Sequence, residues 1–175
     1  YMQLLIKEKI FSWRDSYNIY DENENKKYFV KGKIISLTHT FNVYDNNNNK
    51  VGKIKQKLIS VMPTFKIEVN GTVIGTIRKQ ITLVKPKYKI KFNNWDVKGD
   101  ILGWNYDVYS DNKPIIHINK KLLRIGSTHV IEFENSQDEL MGIMLVVAID
   151  AVNHVKKKKK NNSNNNNTNN DNDEN

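Results

Sequence analysis

The sequence predicts a mainly β protein: a closed β-barrel of about twelve strands, built in two similar halves, enclosing a hydrophobic C-terminal α-helix. Three observations predict it. Apolar and polar residues alternate with period two from Leu4 to Phe133, the pattern of half-buried strands. The strand pattern repeats in order along the chain. The last apolar run, Leu140 to Ile149, is apolar around its whole circumference when wound as a helix, so it must be buried on every side. In a β protein that place is the inside of a barrel, and closure also removes exposed sheet edges.

The elements follow from local chemistry. Tyr88, Ile90 and Phe92 alternate with Lys87, Lys89 and Lys91; Phe65, Ile67 and Val69 alternate with Lys66, Glu68 and Asn70. Turn residues separate the runs: Asp21-Glu22-Asn23-Glu24, Asp45-Asn46-Asn47, Asn70-Gly71, Asn93-Asn94 and Asp111-Asn112. Val30-Lys31-Gly32-Lys33-Ile34 matches Val97-Lys98-Gly99-Asp100-Ile101, and Phe41-Asn42-Val43-Tyr44 matches Tyr106-Asp107-Val108-Tyr109. Ile54-Lys55-Gln56-Lys57-Leu58 matches Ile118-Asn119-Lys120-Lys121-Leu122, and Thr64 to Val69 matches Thr128 to Phe133. Four matches in preserved order mean two like halves. Ser136-Gln137-Asp138-Glu139 then reads as a capping box with Ser136 at the N-cap. Gly142, Ala148 and Ala151 allow close approach to the wall. Lys156 to Lys160 follow the last turn, and the Asn-rich stretch from Asn161 has nothing to bury and reads as disordered. The expected organisation is a barrel domain over residues 2–155 and a Lys run with an Asn-rich tail over 156–175.

The 175 residues carry a net charge of +9. Setting aside the five lysines and three acids of residues 156–175 leaves +7 on residues 1–155, so the body is itself basic. Abundant Asn, Lys, Ile and Tyr fits an AT-rich genome, a bland source for that charge. The absence of Cys excludes disulfides, thiolate metal sites and thiol nucleophiles. Lys7, Glu8 and Lys9 interrupt the first apolar stretch, and Leu140 to Ile149 is too short to span a bilayer, so no secretory leader or transmembrane segment is read and the expected compartment is the cytosol or nucleus.

Enzyme chemistry finds little support. His39, His117, His129 and His154 are scattered without metal-ligand spacing, no phosphate-binding Gly loop or nucleophile elbow occurs, and no cofactor motif is present. His117 is out of phase with Ile116 and Ile118 and is expected to face outward. Asp150, a carboxylate after an apolar run, is the best single polar candidate; the plain alternative is a pair with His154 one turn on. Gln56, Lys79 and Lys120 fall on the inward phase, where a bulge or a lysine reaching out at the rim is the simpler reading than a site. Leu58, Ile81 and Leu122 continue that phase. Two lysine sets lie on outward phases: Lys53, Lys55 and Lys57, and Lys85, Lys87, Lys89 and Lys91. They suit an anionic lipid surface, although a solvated barrel wall is the simpler reading. Lys156, Lys157, Lys158, Lys159 and Lys160 fit a membrane-surface patch, a nuclear-localisation signal or a solvated helix end. Nucleic acid is a rival partner for a chain of pI about 9.5, with Trp13, Trp95 and Trp104 as stacking candidates. Trp95 falls opposite an aromatic of the first half and reads as core.

Ile6-Lys7-Glu8-Lys9-Ile10-Phe11-Ser12, Tyr17 to Glu22, Tyr28 to Lys33, Ile54 to Leu58 and Val146 to Asp150 together resemble the LURP-one-related family, a relative of the phospholipid scramblases with the tubby C-terminal-like barrel. The resemblance covers nearly all of residues 2–155 and implies a barrel around a central helix. Through its tubby-like relatives it implies a non-enzymatic module binding anionic, phosphoinositide-like headgroups at a membrane surface. A scramblase-like phospholipid transporter and a nucleic-acid-binding or protein-interaction module are the alternatives. Scramblases are described with a calcium-binding segment before the helix; here Glu132, Glu134, Asp138 and Glu139 lack the spacing of a loop cage, so calcium is not carried over.

Overall fold

A computed structural model describes residues 2–7, 16–35, 38–80, 87–123 and 126–164. The twelve expected strands are present: β1 (Met2–Lys7), β2 (Ser16–Asp21), β3 (Lys26–Ile35), β4 (Thr38–Asp45), β5 (Lys50–Gln56), β6 (Thr64–Val69), β7 (Thr72–Gln80), β8 (Lys87–Phe92), β9 (Trp95–Asp100), β10 (Asn105–Ser110), β11 (Lys113–Leu123) and β12 (Gly126–Phe133). All described pairings are antiparallel. Each strand from β1 to β7 pairs with the next, and so does each from β9 to β11. β1 pairs with β12 from Met2↔Phe133 to Lys7↔Thr128, which bends the sheet round on itself. The barrel is nearly closed, because β8 and β9 share no ladder although only Asn93-Asn94 joins them.

The repeat identifies that seam as a departure from symmetry. β3 to β6 correspond to β9 to β12 in the four matched segments, and equivalent positions are alike. Ile54 and Ile118 are fully buried, as are Ile67 and Ile131, and Thr64 and Thr128 are both buried. By the same correspondence β2 stands for β8. Yet β2 is laddered to β3 from Ser16↔Lys31 to Tyr20↔Lys26, whereas β8 and β9 splay apart.

The helix α1 (Glu139–Asn164) runs through the barrel, with Ile143 to Ile149 at most 1% exposed. Burial all round matches the reading of the sequence. Two details differ. The cap is Asn135, whose side chain accepts from the Gln137 N–H; Ser136–Asp138 form one 3-10 turn, and α1 starts at Glu139. The capping box therefore does not form, because Glu139 is drawn inward: its carboxylate accepts from Lys27 Nζ at 2.6 Å and Tyr28 Oη at 2.8 Å. Nor does the helix end before the lysine run; it continues through Lys156–Lys160 to Asn164. Lysine is a good helix former, so nothing in the run stops it. The expected disorder beyond Asn164 lies outside the described residues.

The barrel has two unlike poles. At the pole where α1 begins lie the tight turns. Asp21 Oδ1 accepts from the N–H groups of Asn23 and Asn25, and Asp45 Oδ1 from those of Asn47 and Asn49. These bonds, with those from the Asn25 and Asn49 side chains, hold both carboxyls below the usual carboxylate range. Asn48, Asn70, Asn93, Asn94 and Asn112 take positive φ, which Asn tolerates better than most residues. At the opposite pole, where α1 leaves, the β5–β6 connection is a longer loop, in which Leu58 is exposed. Its expected inward phase is lost because β5 ends at Gln56; Ile81 lies outside the described residues, as does the Leu122 side chain.

Gly142 sets how closely α1 approaches the wall: a Cβ built on it would come within 2.5 Å of Phe133 Cε1 and 2.7 Å of Ile116 Cδ1. Both rings and chains there are fully buried and have nowhere to go. Gly142→Val is expected to destabilise by about 2 kcal/mol or more, lowering Tm by about 5 °C in a calorimetric scan.

Candidate functional site

The sheet order joins the two lysine sets. β5, β6, β7 and β8 are neighbours, so Lys53, Lys55 and Lys57 lie on the same outer wall as Lys87, Lys89 and Lys91. Lys66 and Arg78, on the strands between, fill the gap. In register, Lys55 stands directly opposite Lys66, Lys66 opposite Thr76, and Thr76 opposite Lys91. Arg78 stands opposite Lys89. All of these basic side chains except Lys53 are exposed, and the wall is about 15 Å across. Among its described residues the one acid is Glu68, whose carboxylate lies 2.8 Å from Lys53 Nζ. Lys85 lies outside the described residues. Lys66 and Arg78 were not among the sequence candidates; each is the one exposed basic residue of its strand, and only the strand order reveals them.

The wall formed by β9 to β12 is different. Asp96 faces Lys98 at 3.6 Å, Asp107 faces His117 at 2.7 Å, and Glu132 is held by Gln3 at 2.9 Å and Lys121 at 3.5 Å. His117 thus faces outward as expected, flanked by fully buried Ile116 and Ile118. Of the acids between Glu132 and Glu139, Glu132 is spent on these contacts, Glu134 lies 3.6 Å from His117 and Glu139 pairs with Lys27. Among the described residues no group of three or more acids and histidines converges as a metal site would require.

Where β8 and β9 splay, a cleft of about 420 Å³ opens, lined by Tyr88, Ile90, Trp95, Val97 and Ile101 together with Lys87, Lys89 and Asp96. Behind Tyr88 the interior is polar. Tyr88 Oη donates to Asn153 Oδ1, and Lys79 Nζ lies 5.4 Å from the Tyr88 ring centre. Lys79 is therefore inside the barrel, on the inward phase of its strand, which corrects the simpler expectation that a bulge or the rim would turn it outward. Asp150 is buried nearby on α1. Burial first, and the Asp150 charge second, push the phenols of Tyr17 and Tyr106 well above 10. Burial alone pushes Tyr88 to about 12. Gln56 is half-buried and its Oε1 lies 2.6 Å from His39 Nδ1, while Lys120 reaches out to solvent at the rim. Trp95 is core, and Trp104 stacks on buried His129 at 4.0 Å; Trp13 and the side chains of His154 and Lys156–Lys160 lie outside the described residues.

Two measurements check this arrangement. Like charges opposed across strands are destabilising. Lys66→Glu, which sets an acid opposite Lys55, is therefore expected to raise stability by about 0.5 kcal/mol, seen as a higher Tm that shrinks as salt is added. The buried phenols give the second. A phenol whose folded pKa is raised keeps its proton after the unfolded chain has lost it, so its stabilisation is full below pH about 10 and declines above it. Absorbance titration at 295 nm is expected to show four of the eight tyrosines, Tyr17, Tyr28, Tyr88 and Tyr106, failing to ionise with the rest until the protein unfolds.

Comparison with known proteins agrees with this architecture. An X-ray structure of a protein from Arabidopsis thaliana superposes with a TM-score of 0.59 over 86% of this chain and 90% of that one, at 16% identity, a likeness of fold alone. No curated protein matches the chain at a significant level. The family model described as LURP-one-related matches residues 2–150, all twelve strands and the first part of the helix, and the chain belongs to that family.

Proposed function

We propose that the barrel is a non-enzymatic module that binds anionic lipid headgroups, phosphoinositide-like ones included, at a membrane surface through the basic wall of β5 to β8. The observation that carries this reading is the direct cross-strand opposition of Lys55 with Lys66 and of Arg78 with Lys89 on one wall. Such pairs cost stability, so their place on a wall nearly free of acid needs a reason beyond folding. Codon usage rich in lysine would load the whole outer surface alike. Instead β9 to β12 interleave acids and bases, while β5 to β8 gather cations. A phosphate-bearing surface supplies the missing negative charge.

The alternatives find less support. A scramblase-like transporter would need α1 in the bilayer, but its apolar residues are the barrel's own core, and no helix among the described residues is long and apolar enough to cross a membrane. Nucleic-acid stacking would want aromatic rings beside the lysines; Trp95 is core and Trp104 is stacked on His129.

Each lysine near an anionic surface contributes roughly 1 kcal/mol. Reversing Lys55, Lys66 and Lys89 to Glu is therefore expected to weaken co-sedimentation with phosphatidylserine or phosphoinositide vesicles by about a hundredfold or more, at near-physiological salt. Reversing Lys98, Lys113 and Lys121 on the other wall makes the same change in net charge and is expected to leave most binding intact. Equal loss in both triple variants would reduce the effect to net charge, and undiminished binding by the first would dismiss the wall.

A further inference from the structure

The described residues hold five large apolar side chains exposed to solvent, and four of them sit at one pole of the barrel. Leu58, Ile59 and Val61 are in the β5–β6 loop, and Leu102 follows β9. The fifth, Val73, lies towards the other pole. Ile59 and Val61 are 92% and 93% exposed, more than a side chain at a loose surface needs to be. The loop that carries them is not loose. Lys57 N–H donates to the Thr64 carbonyl at 2.9 Å, Ser60 Oγ to the Met62 carbonyl at 2.5 Å, and Thr64 Oγ1 to the same carbonyl at 3.0 Å. Polar groups turn in on one another and apolar groups turn out, the reverse of what water rewards.

The surroundings state what covers this tip. The loop continues directly from Lys55 and Lys57 of the basic wall. The same pole receives the end of β7 with Arg78 and the start of β8 with Lys87, and α1 leaves the barrel there towards Lys156–Lys160. The opposite pole carries the Asp- and Asn-rich turns. An apolar tip ringed by lysine is the composition of a bilayer interface contact, in which chains enter the acyl boundary and ammonium groups stay with the phosphates. Protein interfaces instead deplete lysine around their apolar centre.

We infer that the barrel docks on an anionic bilayer by this pole, with the Leu58–Val61 tip inserted below the headgroups and the β5–β8 wall leaning on them. This rests on the headgroup-binding reading and adds to it an orientation and an apolar anchor.

The chain has no Cys, so a single introduced thiol reports one position. Val61→Cys and Val73→Cys, each carrying an environment-sensitive fluorophore on the full chain, are mixed with phosphatidylcholine vesicles containing phosphatidylserine, with and without spin-labelled acyl chains. The expected result is a blue shift and acyl-chain quenching at position 61 and neither at position 73. Ile59→Asp with Val61→Asp, both on open surface, is expected to weaken vesicle binding about tenfold with an unchanged melting curve, and the binding left is abolished by high salt. Vesicle binding with position 61 still in water would overturn the insertion while leaving the headgroup reading standing, and would assign the tip to a protein partner. Absence of vesicle binding by the parent chain would overturn both.

Discussion

A helix that is apolar on every side has no stable place in water, and the rest of this molecule is arranged to give it one. Ile143 to Ile149 present no polar face, so they require a wall all the way round. A sheet can supply that wall only by curving until its first and last parts meet, which is what β1 and β12 do. The two like halves make this economical, since one four-strand pattern used twice covers most of the circumference. Gly142 and Gly52 then fix how near the helix lies. At Gly52 a Cβ would meet Met144, and at Gly142 it would meet Phe133 and Ile116.

Because the inside is committed to the helix, differences between the halves must appear on the outside and at the ends. The interior positions of the repeat stay alike: Ile with Ile, Thr with Thr, Phe41 with Tyr106. Outside, β5 to β8 gather cations with Glu68 as the one acid among the described residues, while β9 to β12 carry acid–base pairs. The ends diverge as well. One is closed by short Asn turns that stabilise positive φ, and the other exposes aliphatic side chains next to lysine. The seam between β8 and β9 adds a further asymmetry, and it places Tyr88, with its bond to Asn153, between solvent and the polar interior around Asp150.

Period two made the strands legible in the sequence, since each strand has one buried face. The unbroken apolar run made the enclosed helix legible for the same reason. The four matched segments announced the two halves. Local alternation cannot state which strands are neighbours, so the lysines of β5 and β8 stayed separate until Lys66 and Arg78 were seen between them. Nor could it show that β5 stops at Gln56, which is what turns Leu58 outward. Asn93-Asn94 reads as a tight hairpin, yet the ladder that should follow is absent. Ser136 matched a capping pattern, but Glu139 found stronger partners in Lys27 and Tyr28 across the barrel, and long-range ion pairing overrode the local motif.

The order of elements along the chain has a consequence for how the protein is made. α1 follows all twelve strands, so as the chain leaves the ribosome every inward-facing Ile, Val and Phe emerges before the segment that covers it. The pairing of β1 with β12 likewise waits for about 130 residues to be synthesised, the span between Met2 and Phe133. Folding to the native state therefore waits until α1 has emerged, and is dominated by distant contacts and slow. During that interval the chain offers unpaired strand edges and bare apolar faces, the kind of surface that chaperones hold and that aggregates when they do not.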